Sequence, residues 1–242
     1  MPHPSNDPSP DPLTWLTELE GVPSAFASTR DGIDVMLRDR GLRKTTPAQT
    51  AESLLRGAHA SAALEGSASS LEDVRTDSGD EIAQASVRVS SELLSLVPVL
   101  GRSPVQVFAR LHALTGGASA GRPVSADAAN RLQSLSQTLL RTSAPALLVA
   151  ALVHADLMTA SPFADHNGIV ARAAERLVLV ARGVDRASLV VPEAGHLALR
   201  TEYESNLRGY RDGGKNGLRS WLLYAAEAQA KGAEASPLRT PG

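Results

Sequence analysis

Apolar residues recur along this chain at the spacing of helices, and no alternation of apolar and polar positions lasts more than a few residues. Two runs, Ala144 to Met158 and Ile169 to Val180, are apolar on most sides and read as buried helices. Between them lies the polar stretch SPFADHNGIVAR, Ser161 to Arg172, a loop that ends in the first turn of the second helix. Periodicity and breakers together predict further helices. Trp15–Leu19 forms a short one, Ser24–Arg40 is closed by Gly41, and Pro47–Leu64 opens at the capping pair Thr46-Pro47 and stops at Gly66. Asp80–Leu96, Pro104–Leu114, Ser125–Leu140 and Pro145–Met158 lead to the loop. Ile169–Arg182 leaves it and stops at Gly183, and Tyr203–Tyr210 and Leu218–Lys231 complete the series. There is no internal repeat. The expected fold class is all-α.

Composition changes this picture little. The chain has 242 residues, enough for one large domain or a domain with a helical extension. The expected organisation is a disordered N-terminus over 1–12, an N-terminal helical region over 13–98, a core over 99–232 and a disordered tail over 233–242. A net charge of −2 argues against nucleic acid or an anionic membrane as partner. The absence of Cys excludes disulfides and thiolate metal sites. No segment reaches the about 18 continuous apolar residues of a spanning helix, and MPHPSNDPSPDP lacks an apolar signal core, so the expected location is the cytoplasm.

The loop carries the chemistry. Asp165, Asn167 and Gly168 stand at a helix N-terminus, where backbone N–H groups point outward and the dipole favours an anion such as phosphate. Asp165 would hold Mg²⁺ against the same phosphates. One turn on, Arg172 would meet the far end of a polyphosphate with its planar fork. A catalytic base is missing at the start of the loop, because the Ser161 hydroxyl takes up no proton near neutral pH without a partner of its own. His166 sits in mid-loop, where its ring would narrow the phosphate site or donate to it. As a displaced base it stands in the wrong place, since general acid–base catalysis needs the base within about 3 Å of its proton. A plain Asx-type turn between two helices is the competing reading.

These residues resemble the Fic (Fido-domain) motif, His-x-Phe-x-(Asp/Glu)-Gly-Asn-Gly-Arg-x-x-Arg. Five of its eight specified positions match, at Phe163, Asp165, Asn167, Gly168 and Arg172, and Pro162 also fits. Ser161, His166 and Ile169 stand where the family has His, Gly and Arg. A second segment, Ser61-Ala-Ala-Leu-Glu65-Gly66, is similar to the (Ser/Thr)-x-x-x-Glu-(Gly/Asn) inhibitory helix of that family. There the Glu pairs with the second motif Arg, here Arg172, and blocks a productive ATP pose. Ser61 and Glu65 share one helical face, and Gly66 would leave Glu65 at the helix tip. The glycine-rich segment Thr115 to Ser125 falls where the family has a flap, a loop or hairpin that holds the target by main-chain pairing. Tyr203, Glu204, RDGGKNG and Ser220-Trp221 look like the C-terminal part of the fold, and the resemblance spans Pro47 to Lys231.

The resemblance implies a Fic-like helical core with an N-terminal extension that carries the inhibitory helix. Its activity would be AMP transfer from ATP, with Phe163, Asp165, His166, Asn167, Gly168 and Arg172 as nucleotide contacts and Mg²⁺ at Asp165. The departures imply a pseudoenzyme that binds ATP, ADP or AMP weakly or not at all and acts through a protein partner. An enzyme of changed chemistry, with Glu65 aligning water to remove AMP, is one alternative. A helical interaction module without nucleotide is another, and a homo-oligomer stays open.

Other candidates read as structure. His154, on an apolar helix, is expected to be buried and hydrogen-bonded. His59, His112 and His196 are isolated in sequence, and no His pair at helical spacing points to a metal. GGASAG lacks the Lys-Ser/Thr pair of a phosphate loop. Arg30, Arg38, Arg40, Arg43 and Lys44 read as a solvated basic face.

Overall fold

In a computed structural model of the chain, residues 11–39, 45–117 and 119–238 are described. The described residues are helical, with no strand among them. The centre is a pair of helices, α8 (Ala146–Ala160) and α9 (Asn167–Ala181), joined by the six-residue loop 161–166. Both are buried along most of their length, α8 as its all-round apolar sequence requires and α9 with Arg172, Glu175 and Arg176 among its buried residues. Around them lie α1 (Val22–Asp39), α2 (Pro47–Leu64), α3 (Leu71–Arg75), α4 (Glu81–Leu93), α5 (Val97–Leu100), α6 (Pro104–Thr115), α7 (Ala126–Arg141), α10 (Pro192–Ala198), α11 (Arg200–Asp212) and α12 (Gly214–Glu234).

Local chemistry sets the start of α2. Thr46 Oγ1 accepts the Gln49 N–H, and the Gln49 side chain reaches back to the Thr46 N–H, with Pro47 in the first turn. The helix ends in a Schellman arrangement, Ser67 N–H to the Ala62 carbonyl and Gly66 N–H to that of Ala63, with Gly66 at φ +94°. On the far side of the centre, α12 docks by Trp221, whose indole N–H donates to the Ala151 carbonyl at 2.9 Å. Thr29 of α1 donates to the Ala226 carbonyl at 2.8 Å, tying α1 to α12.

Several expectations need correction. Leu16, Phe26 and Ile33 share one buried cluster with Leu148, Leu177 and Trp221, and Ala58, Ala62, Val74 and Ala83 form a second among α2, α3 and α4. RDGGKNG is not a loop: α11 and α12 run through it almost without a break. A Cβ at Gly217 of α12 would overlap the Gly209 carbonyl oxygen of α11, so these glycines serve close approach of two helices. The tail is ordered further than expected, since α12 continues to Glu234 and Ser236 and Leu238 are buried. At the other end Asp11 accepts from Leu13 N–H and from Thr142 Oγ1, both at 2.9 Å. The short helices α3 and α10 were not expected, and α5 takes Pro98 into its first turn where a stop is predicted. Residues 1–10 and 239–242, and with them most of the two expected disordered ends, lie outside the described residues, as do Arg40, Arg43 and Lys44. No helix among the described residues is long and apolar enough to cross a membrane.

Candidate functional site

The C-terminal end of α2 meets the N-terminal half of α9, and two arginines on successive turns of α9 make the joint. Arg176 donates to Glu193 Oε2 at 2.9 Å, to Ser53 Oγ and to the Ser53 carbonyl. Gly57 permits this approach, because a Cβ there would lie 2.8 Å from an Arg176 nitrogen. One turn earlier, Arg172 is 1% exposed. Its Nε donates to Ser61 Oγ at 2.9 Å, Nη2 to the Ser61 carbonyl at 3.1 Å and to Glu65 Oε1 at 2.7 Å, and Nη1 to the Tyr203 hydroxyl at 3.3 Å. Burial opposes the Arg172 charge, but the Tyr203 hydroxyl and the Glu65 carboxylate beside it leave the guanidinium pKa raised.

Ser61, Glu65 and Arg172 are thus brought together. The Glu65 carboxylate also lies directly over Gly168, where a Cβ would overlap Oε1. Its position is set by the Schellman turn at Gly66 and by Arg200, which donates to the Ala63 carbonyl at 3.3 Å. The first turn of α9 therefore carries a carboxylate from the same chain at the place that suits an anion.

The loop before α9 is closed by Asn167. Its Oδ1 accepts from Phe163 N–H at 2.9 Å and its Nδ2 donates to the Phe163 carbonyl at 2.8 Å. Ser161 is exposed at φ +42°, with its hydroxyl donating to the Met158 carbonyl at 3.0 Å. His166 takes φ +51° immediately before α9, the left-handed conformation that favours Gly and that His tolerates better than most residues. Ile169, which stands where the resemblance has an Arg, is buried in the core.

His112, passed over as isolated, organises the other wall. Its ring stacks on Phe163 with centroids 4.4 Å apart and planes 6° from parallel. Gly121 N–H donates to its Nδ1 at 3.0 Å, so the ring proton is on Nε2, which donates to Asp165 Oδ1 at 2.8 Å. Nothing in the local sequence marks this link, since His112 and Asp165 lie on different elements. The described residues of the segment expected as a flap make turns, tied to the rest of the fold by His112, by Arg88 at the Thr115 carbonyl and by the Val124 N–H to the Pro162 carbonyl. It is a loop, not a hairpin.

Below Arg172, three more residues cluster that the sequence reading kept apart. Glu175 Oε2 meets His154 Nδ1 at 2.6 Å and His196 Nε2 at 2.8 Å, all fully buried. The distal ring nitrogens meet the Tyr203 and Tyr224 hydroxyls at 2.9 and 2.8 Å, and Gln229 donates to Glu175 Oε1 at 2.9 Å. The three ligand-type atoms lie within 4.8 Å of one another, as metal ligands would. Their separations are those of hydrogen bonds, and these atoms satisfy each other. Burial pushes the His154 imidazole down to about 4, so it is neutral at pH 7. Burial opposes ionisation of Glu175, yet His196 and His154 outweigh it and hold the carboxyl well below the usual carboxylate range.

No family model matches the sequence, and no curated protein does. Solved structures do. A Fic family protein from Desulfovibrio desulfuricans G20 superposes with a TM-score of 0.70 at 18% identity, over 87% of this chain and 73% of that one. Fic-1 from C. elegans (residues 134–508) superposes with a TM-score of 0.69 at 17% identity, over 88% and 71%. The chain has the Fic fold.

Proposed function

We propose that this chain is a Fic-fold pseudoenzyme, defective in AMP transfer, that works as a nucleotide-binding or protein-interaction module. One observation carries the reading: the Glu65 carboxylate sits over Gly168 and pairs with Arg172, so the place suited to phosphate already holds an anion. A nucleotide would have to displace it. Without a base, the transfer step loses a factor of about 10²–10⁴, and Ser161, its hydroxyl turned back to Met158, supplies none.

With Glu65 in place, ATP and Mg²⁺ would have to displace its carboxylate before Asp165 could hold the cation. Asp165 has one oxygen engaged by His112, and Mg²⁺ would depend on nucleotide phosphates for much of its octahedral shell. The test is exposure of purified protein and lysate to radiolabelled ATP with Mg²⁺, comparing wild type with Glu65→Gly. Neither is expected to label itself or another protein. Label in the Glu65→Gly variant overturns the reading. Calorimetry with ATP and ADP then separates a nucleotide-binding module from one without nucleotide: binding that weakens in Arg172→Ala favours the former.

A second reading, removal of AMP from a modified protein, draws on the Glu65 side chain, which is partly exposed and bonds Arg172 through Oε1 alone. Release of AMP from AMPylated protein, abolished by Glu65→Ala, would replace the first reading with this one.

A further inference from the structure

The polar groups beneath Arg172 form one chain of hydrogen bonds from the centre of the protein to the lock. Its direction is forced at each step. The ionised Glu175 carboxylate only accepts, so His154 Nδ1 carries the proton and donates to it. A neutral imidazole with its proton on Nδ1 has an acceptor at Nε2. The Tyr203 hydroxyl, 2.9 Å away, must therefore donate there. That spends its one proton and turns its oxygen lone pairs toward Arg172 Nη1, 3.3 Å away. Were His154 protonated on Nε2 instead, its N–H and the Arg172 N–H would converge on the same hydroxyl oxygen, and Glu175 would face a bare nitrogen. Gln229 at Glu175 Oε1 and His196 at Oε2 hold the carboxylate in place. Burial raises the Tyr203 phenol to about 12, so it keeps its proton at ordinary pH.

We propose that Tyr203 is a positioning residue: its hydroxyl, oriented by His154 and Glu175, holds the Arg172 guanidinium in place independently of Glu65. The inference rests on the reading of the α9 N-terminus as an anion site for one consequence only. Removal of Glu65 would then leave Arg172 already aimed at an incoming polyphosphate, with Ser61 and Tyr203 still holding it.

Nitrogen NMR of the full chain tests the relay. His154 is expected as the Nδ1–H tautomer, and Arg172 Nε–H as slowly exchanging. Tyr203→Phe removes one oxygen and keeps the ring, and is expected to speed Arg172 Nε–H exchange at least tenfold while Glu65→Ala alone changes it less. Glu175→Gln, with an amide group toward His154, is expected to move the His154 proton to Nε2. An Nε2–H tautomer in the wild type, or unchanged Arg172 exchange in Tyr203→Phe, overturns the proposal. Tripolyphosphate titrated into Glu65→Ala and Glu65→Ala/Tyr203→Phe supplies a separate readout, with at least fivefold weaker binding expected in the double variant. Equal binding by the two overturns the proposal. No binding by either, with exchange responding to Tyr203→Phe, supports the relay and overturns the anion-site reading alone.

Discussion

Glu65 Oε1 packs against the Cα of Gly168 in the space a methyl group would need, while accepting from Arg172 at 2.7 Å. The contact ties the residue that caps the C-terminus of α2 to the first turn of α9, so either partner can break it. Gly168→Ala gains up to about 1 kcal/mol of helix propensity and pushes the carboxylate aside. Combined with Glu65→Ala it is expected to be non-additive, with a coupling of about 1–2 kcal/mol in a urea double-mutant cycle. Additive effects would show that the carboxylate does not rest there.

Arg172→Lys is expected to destabilise by about 2–4 kcal/mol in chemical denaturation, despite the retained charge. A single ammonium cannot satisfy Ser61 Oγ, the Ser61 carbonyl, Tyr203 and Glu65 from one point. A loss near zero would mean that the guanidinium fork is dispensable.

Acid is expected to weaken the fold from pH 6.5 downward. His154 titrates near 4 in the folded protein against 6.5 when free, so between those values the unfolded chain binds a proton that the native state refuses. Stability is thus complete above pH 6.5 and declines toward 4, by about 3 kcal/mol from this group. Glu175, whose folded pKa is lowered from 4.5, adds a further loss below that value. Urea midpoints from pH 7 to 4 measure the decline, and His154→Gln is expected to flatten the upper part of it.

His112→Phe keeps a ring on Phe163 but removes the acceptor of Gly121 N–H and the donor to Asp165. The Gly121 amide is expected to exchange with solvent at least tenfold faster, by NMR or mass spectrometry, while amides of α8 do not change. The link between this loop and Asp165 would then be severed without loss of the core.

Gly217→Ala is expected to cost about 3 kcal/mol or more, because its Cβ would overlap the Gly209 carbonyl oxygen, a backbone atom with little freedom to yield. Gly66→Ala has open space around it and meets only the strain of φ +94°, about 1–2 kcal/mol. Thermal melting of the two variants distinguishes steric from conformational need for glycine.

The helices were legible where one residue type decides them: Thr46, Pro47 and Gly66 bound α2, and the apolar run before Ser161 leaves α8 no option but burial. Glu65 and Arg172 could be paired from the sequence only through the resemblance, since 107 residues separate them. The glycines at 213 and 217 misled because glycine marks both turns and close helix crossings, and only a partner backbone, here that of Gly209, tells which. His112, Glu175 and Tyr203 act by meeting residues from other elements, and no periodicity records such a meeting. Ile169 stands where the resemblance has an Arg, and no sequence pattern told that its neighbourhood is apolar and buried.

The two rungs that Arg172 and Arg176 build across α2 make that helix hard to dispense with. Ser53, Ser61 and Glu65 are the counterparts of two cations with almost no access to water. Trimming the chain back to residue 67, the usual way to unmask a self-restrained domain, would leave Arg172 buried with Tyr203 alone and no carboxylate, and Arg176 with only Glu193 and Ser188. The restraint is also a wall of the house: what closes the site is part of what lets the rest of the molecule fold.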